Sequence, residues 1–237
     1  MLPPDDGVPV LHAVPGGPVP SIALSSAAIR RRSILTATAA MVGATALGSL
    51  LSACGKSPPS FDNLDISGNS GFEPAFSIAD TNGQMRTIAD YKGKVVVLFF
   101  GYTQCPDVCP TSLAELAQAK KQLGADGAKL QVILVSVDPE RDTPAILAQY
   151  VAAFDPSFVA LRPADDAAVA RLAKQFHIVV KKTPATANAP YAIEHSAASF
   201  VYDPSGRLRL YARDGQGVDR WLHDIKILAN EPNAAGA

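Results

Sequence analysis

The sequence predicts an α/β domain built on a parallel sheet and preceded by an export segment. Two continuous apolar runs, Lys94 to Tyr102 (KVVVLFFGY) and Leu130 to Asp138 (LQVILVSVD), have the character of strands buried on both faces. Between them, Pro110 to Leu123 places Leu113, Leu116, Ala117 and Leu123 on one helical face, with Gly124 as a stop, which completes a βαβ unit. The third observation lies upstream, where residues 33–51 form 19 positions without a charged side chain directly after Arg30, Arg31 and Arg32. A positive segment followed by an apolar one is the pattern of a signal sequence.

Reading from the start, residues 1–53 form that signal sequence, with a proline-containing, aperiodic and disordered leader over 1–29. Its apolar stretch is rich in Ala, Thr and Gly, so export is favoured over a permanent membrane helix. Leu51-Ser52-Ala53-Cys54 resembles the lipobox of bacterial lipoproteins, which makes Cys54 the expected lipidation site. An ordinary cleavage site or an uncleaved anchor remain alternatives, and Arg31-Arg32 also resembles a twin-arginine signal. Residues 54–71 have linker composition and read as a tether, 72–230 as the folded domain and 231–237 as a disordered tail. The expected location is the bacterial cell envelope, lipid-anchored to the periplasmic face of the inner membrane. Lys and Arg total 21 against 22 Asp and Glu, so no basic excess exists to bind nucleic acid.

Within the domain, a hairpin-like segment (Ala75 to Ile78, then Asp80-Thr-Asn-Gly83) precedes the first buried strand. After the βαβ unit come a helix (Pro144 to Phe154), a strand (Phe158 to Leu161), a helix (Ala164 to Gln175) and a strand near Ile178 to Val180. Ser199 to Tyr202 and Leu208 to Tyr211 flank Asp203-Pro-Ser-Gly206 as a hairpin, and Val218 to Ala229 is an amphipathic last helix. A parallel βαβ unit, an antiparallel hairpin and a closing helix are the order of a thioredoxin-like fold.

If Cys54 carries lipid, Cys105 and Cys109 are each other's only thiol partners. They stand as Cys-Pro-Asp-Val-Cys at the start of a helix, where the dipole and free N–H groups favour a thiolate, so a depressed pKa is expected for Cys109. A structural disulfide gains most from a long loop and this one closes almost nothing, so a switchable pair is favoured over an inert bridge. Of the histidines, His12 lies in the leader, His223 lies off the apolar stripe of the last helix, and His177 reads as a half-buried residue starting a strand. His195, in Tyr-Ala-Ile-Glu-His-Ser after a Pro/Ala/Asn-rich loop, is open to a ligand role.

Gly101-Tyr-Thr-Gln-Cys-Pro-Asp-Val-Cys-Pro110, Ser136-Val-Asp-Pro-Glu-Arg-Asp-Thr-Pro144, Glu194-His195-Ser196 and Tyr202-Asp-Pro204 together resemble the Sco/SenC family of copper chaperones, over about Phe72 to Asn230. That resemblance implies a thioredoxin-like fold and one copper ion, Cu(I) or Cu(II), held by Cys105, Cys109 and His195. It also implies a redox-active Cys105–Cys109 disulfide and service to the binuclear copper centre of cytochrome c oxidase. The implied partners are the copper-site subunit of the oxidase or another copper protein, and a periplasmic copper donor. Glu194 stands where the family often has Asp. The chemistry agrees, since two thiolates and an imidazole suit copper. A structural zinc site wants four protein ligands, and three are convincing here.

A membrane-tethered thiol–disulfide oxidoreductase acting on copper-protein cysteines is the rival function, because the same thiolates do both jobs. A peroxidase, prompted by Val108-Cys-Pro-Thr111, is set aside because Pro106 stands where that chemistry places a Thr. Asp138 either orients a metal ligand or caps the Asp-Pro turn. Glu140, Arg141 and Asp142 read as a surface turn or a docking face.

Overall fold

The computed structural model describes residues 60–69, 75–186 and 190–231. The leader, the apolar stretch, Cys54 and residues 232–237 of the tail lie outside them. Among the described residues, no helix is long and apolar enough to cross a membrane.

The strands are β1 (Leu64–Asp65), β2 (Ile78–Asp80), β3 (Met85–Arg86), β4 (Val95–Gly101), β5 (Leu130–Ser136), β6 (Val159–Arg162), β7 (Val180–Thr183), β8 (Ala192–His195), β9 (Ala198–Tyr202) and β10 (Leu208–Arg213). The α-helices are α1 (Val108–Gln122), α2 (Pro144–Ala152), α3 (Asp166–Gln175) and α4 (Val218–Asn230). Eight strands form one sheet in the order β1-β10-β9-β4-β5-β6-β2-β3, while β7 and β8 pair only with each other. β4, β5 and β6 are parallel, and β9 runs antiparallel to β4. This is the thioredoxin-like arrangement that the element order predicts.

Alternation along β4 divides the interior. Val95, Val97 and Phe99 pack with Leu113 and Leu116 of α1, Leu147 of α2 and Trp221 and Ile225 of α4. Val96, Leu98 and Phe100 turn the other way, toward Val169 and Leu172 of α3, Phe176, Phe200 and Ile193 of β8. Both faces are thus covered by helices or the small ribbon, which is why β4 and β5 are apolar at nearly every position.

Three expectations are corrected. Residues 60–69, assigned by composition to the tether, belong to the folded unit: Leu64 and Asp65 pair with Tyr211 and Leu210, and Ile66 N–H reaches the Arg209 carbonyl at 2.8 Å. The buried Asp224 carboxylate holds this segment, accepting from Asp62 N at 2.8 Å, Asn63 N at 3.0 Å and Asn63 Nδ2 at 2.8 Å. A two-residue strand is too short to show any period, so composition alone reads it as linker. His177 does not start a strand; it follows α3 in the left-handed region at φ 52°, and β7 begins three residues later. Helix α1 starts at Val108 rather than Pro110, because proline is tolerated in a first turn whose N–H groups have no helical acceptor. Cys109 is therefore inside the helix.

Candidate metal centre

The carboxyl ends of β4 and β5 open onto the loop that carries Cys105 and the first turn of α1 that carries Cys109. Cys105 is half-buried and packs against both halves of the core, while Cys109 is 1% exposed. A Cβ built on Gly101 would lie 2.6 Å from Cys109 Sγ and 3.1 Å from Leu134 Cδ1, so the last residue of β4 has to be glycine for the sulfur to occupy its place.

His195 arrives from a distant part of the chain, at the end of β8 opposite Val180 of β7. Its Nε2 stands 3.8 Å from Cys109 Sγ and its Nδ1 3.2 Å from the Ser196 carbonyl. A carbonyl can only accept, so Nδ1 carries the ring proton and Nε2 turns its lone pair toward the sulfur. The Tyr102 ring meets the imidazole edge-on, with centroids 5.9 Å apart. The ligand atoms of Cys105, Cys109 and His195 all lie within 4.8 Å of one another.

Burial governs the protonation of this group. It lowers the pKa of His195, which keeps the imidazole neutral and able to donate its lone pair at neutral pH. It pushes the Cys109 thiol far up, and the nearby Cys105 adds to the rise, against a smaller opposing contribution from the Tyr102 N–H. The direction is opposite to the depression expected from the helix N-terminus, because the largest cause is the removal of a sulfur anion from water. A cation bound at the sulfurs would supply the missing compensation.

Arg141 and Asp142, expected in a surface turn, are drawn inward and with Asp138 form the joint of the site, while Glu140 of the same turn is exposed. Asp142 is fully buried and accepts from Thr103 Oγ1 at 2.6 Å, Thr103 N at 3.2 Å and Ser136 Oγ at 2.6 Å, which ties it to the cysteine loop. Asp138, equally buried, accepts from Tyr191 Oη at 2.8 Å and pairs with Arg141. Its bonds therefore lead to the histidine ribbon rather than to the sulfurs. Arg162 of β6 braces the turn by donating to the Asp142 carbonyl at 3.0 Å and the Pro139 carbonyl at 2.6 Å. The sequence gives Tyr102 and Tyr191 no role and Arg141 and Asp142 only a place in a surface turn or docking face; the signal for more is the charged run Asp-Pro-Glu-Arg-Asp directly after a buried strand.

A second group, Asp62, His223 and Asp224, also converges within 4.8 Å. Asp224 spends its oxygens on the Asp62 and Asn63 donors and on His223 Nδ1 at 2.9 Å, so this group serves as the fastening of the 60–65 segment.

A thioredoxin-like domain with one cysteine on the loop after β4, a second in the first turn of α1 and a histidine folded back over them defines a thiol-and-imidazole metal or redox protein. The SCO1/SenC family model matches residues 65–230, and the chain belongs to that family. It is 35% identical over 153 residues to the mitochondrial SCO2 homologue of Bos taurus, covering 64% of this chain and 57% of that protein. The chain thus spans little more than half the length of that relative. Among solved structures, it resembles Bradyrhizobium japonicum ScoI with copper bound (36% identity, TM-score 0.59, 66% of this chain and 99% of that one). It also resembles apo Sco1 of Thermus thermophilus (34% identity, TM-score 0.63, 73% and 99%).

The environment of Cys109 yields a pH test. Asp214, just after β10, accepts from Ser199 Oγ at 3.1 Å, and burial raises its pKa from 3.8 to about 6. A carboxyl whose folded pKa is raised contributes stability that is full below its unfolded pKa and is lost as pH rises through the folded value, here between about 4 and about 6. Urea unfolding of the wild type and Asp214→Asn should therefore show the wild type gaining relative to the variant as pH falls from about 7 to about 4. An unchanged difference across that range would contradict the assignment.

Proposed function

We propose that this chain is a copper-binding protein of cytochrome c oxidase assembly that carries one copper ion as cargo on Cys105 Sγ, Cys109 Sγ and His195 Nε2. The observation that carries this reading is the convergence of the three donors within 4.8 Å from segments 86 residues apart. Two sulfurs with one neutral imidazole form a set suited to Cu(I), and the nitrogen extends it to Cu(II). Binding is coupled to loss of the thiol protons, so the high pKa of buried Cys109 makes the thiolate dependent on the ion. Three protein donors leave a coordination position through which the ion passes to the copper-site subunit of the oxidase or to another copper protein. Family membership and the copper-bound relative from Bradyrhizobium japonicum support the choice of metal.

The protein should bind one copper per chain, and Cys105→Ser with Cys109→Ser should abolish binding in equilibrium dialysis. His195→Ala should weaken Cu(II) binding by well over about tenfold while leaving the two cysteines able to form and break their disulfide. A His195→Ala strain that assembles oxidase normally, beside a Cys105→Ser strain that does not, would make thiol–disulfide exchange the function instead.

The same proposal places the protein in the bacterial cell envelope, held at the periplasmic face of the inner membrane by lipid on Cys54. The apolar 33–51 segment followed by Leu-Ser-Ala-Cys54 supports it. Cys54→Ser should move the protein out of the membrane fraction; unchanged membrane association would point to an uncleaved helix.

A further inference from the structure

His195 is carried by a two-stranded ribbon that shares no ladder hydrogen bonds with the eight-stranded sheet. Its backbone tie to that sheet is the short link Ser196-Ala197 into β9, where Ser196 N–H reaches the Val179 carbonyl at 2.9 Å, and side chains brace the rest of the ribbon against the β4 and β5 loops. Arg141 makes the densest set of such contacts. Its Nε pairs with the buried Asp138 carboxylate, its Nη1 donates to the Tyr191 carbonyl at 2.9 Å, and its guanidinium lies 3.7 Å from the centroid of the Tyr191 ring. It also lies 5.8 Å from the ring of Tyr102, whose edge meets His195 and whose phenol receives the backbone N–H of Ile193 in β8. The guanidinium thus touches the ribbon at Tyr191 and, through Tyr102, at Ile193 and His195. Lys182 fastens the opposite strand to Glu140 at 2.8 Å and Asp166 at 3.3 Å.

We propose that Arg141 is a positioning residue for His195, which sets where the imidazole stands against the sulfurs and thereby how well the site holds Cu(II) relative to Cu(I). The inference rests on the copper reading above. Arg141 touches neither cysteine by any of these contacts, so its effect runs through the nitrogen donor. Cu(II) depends more on that donor than Cu(I), which the soft sulfurs suit. A planar fork that stacks on one ring while bonding a carboxylate and a carbonyl is a geometry lysine cannot reproduce.

The test compares wild type, Arg141→Ala, Arg141→Lys and Asp138→Asn, each with and without copper, the thiol–disulfide couple being read on the copper-free protein. The readouts are nitrogen hyperfine coupling in the Cu(II) electron paramagnetic resonance spectrum, the dissociation constants of both oxidation states, the dithiol–disulfide midpoint potential, and thermal melting. Arg141→Ala should weaken Cu(II) binding by about ten- to hundredfold, with nitrogen coupling weakened or lost. Cu(I) binding should change less and the midpoint potential should stay at the wild-type value. Arg141→Lys should not restore the coupling. A role in stability alone would lower melting and weaken both oxidation states together, which would overturn the proposal, as would an Arg141→Ala protein with wild-type coupling and Cu(II) affinity. If Arg141→Ala does not fold, Arg141→Lys and Asp138→Asn decide, since wild-type coupling in both would overturn it. Wild-type protein that binds Cu(II) without nitrogen coupling would instead overturn His195 as a ligand, a failure of the underlying reading visible before any variant is compared.

Discussion

Two buried carboxylates on one tight turn hold the site together. Asp138 and Asp142 follow β5 by two and six residues and point their bonds at different partners, Asp142 to Thr103 on the cysteine loop and Asp138 to Arg141 and Tyr191 at the histidine ribbon. Fully buried carboxyl groups are strongly destabilising unless hydrogen-bonded or paired, so each dictates the position of what it binds. Asp142 has hydroxyl and N–H donors but no cation against it, and burial raises its pKa accordingly. The turn itself is fixed because β5 lies beside β4 in parallel register, Ser136 opposite Gly101, which brings the ends of the two strands to the same level. Val137 N–H then reaches the Gly101 carbonyl at 2.9 Å and continues the ladder into the loops.

This explains why a thiol that burial makes reluctant to ionise sits where it does. Cys109, in the first turn of α1, is packed close to Gly101 and Leu134, so its sulfur is placed by the core rather than by solvent access. Cys105, half-buried, and His195, half-buried, complete the group on the open side. The site combines one donor set by packing, one on a loop and one on a ribbon held by side chains.

Much of this is legible in the sequence because it follows local rules. The apolar runs give β4 and β5, the turn residues Asp203 to Gly206 give the β9–β10 hairpin, and the spacing of Trp221, Leu222, Ile225 and Leu228 gives α4. The two cysteines and His195 stand out by chemistry and by the family resemblance. What escapes is what depends on contact across the fold. Arg141 and Tyr191 are 50 residues apart and meet only after β5 and β8 are placed. A charged run after a strand resembles any solvated turn until burial is known. The protonation of Cys109 escapes for the same reason: a helix N-terminus can be read from sequence, whereas the depth of desolvation that raises this thiol's pKa cannot.

If copper is the cargo, the turn brings the cysteines and the histidine ribbon to one ion. X-ray absorption at the copper edge of the loaded protein tests it most directly, because it counts donor atoms by element. Two sulfur scatterers and one imidazole nitrogen are expected around a single copper, with the imidazole signature absent from His195→Ala. A copper surrounded by nitrogen and oxygen alone, or two sulfurs with an imidazole that persists in His195→Ala, would contradict it.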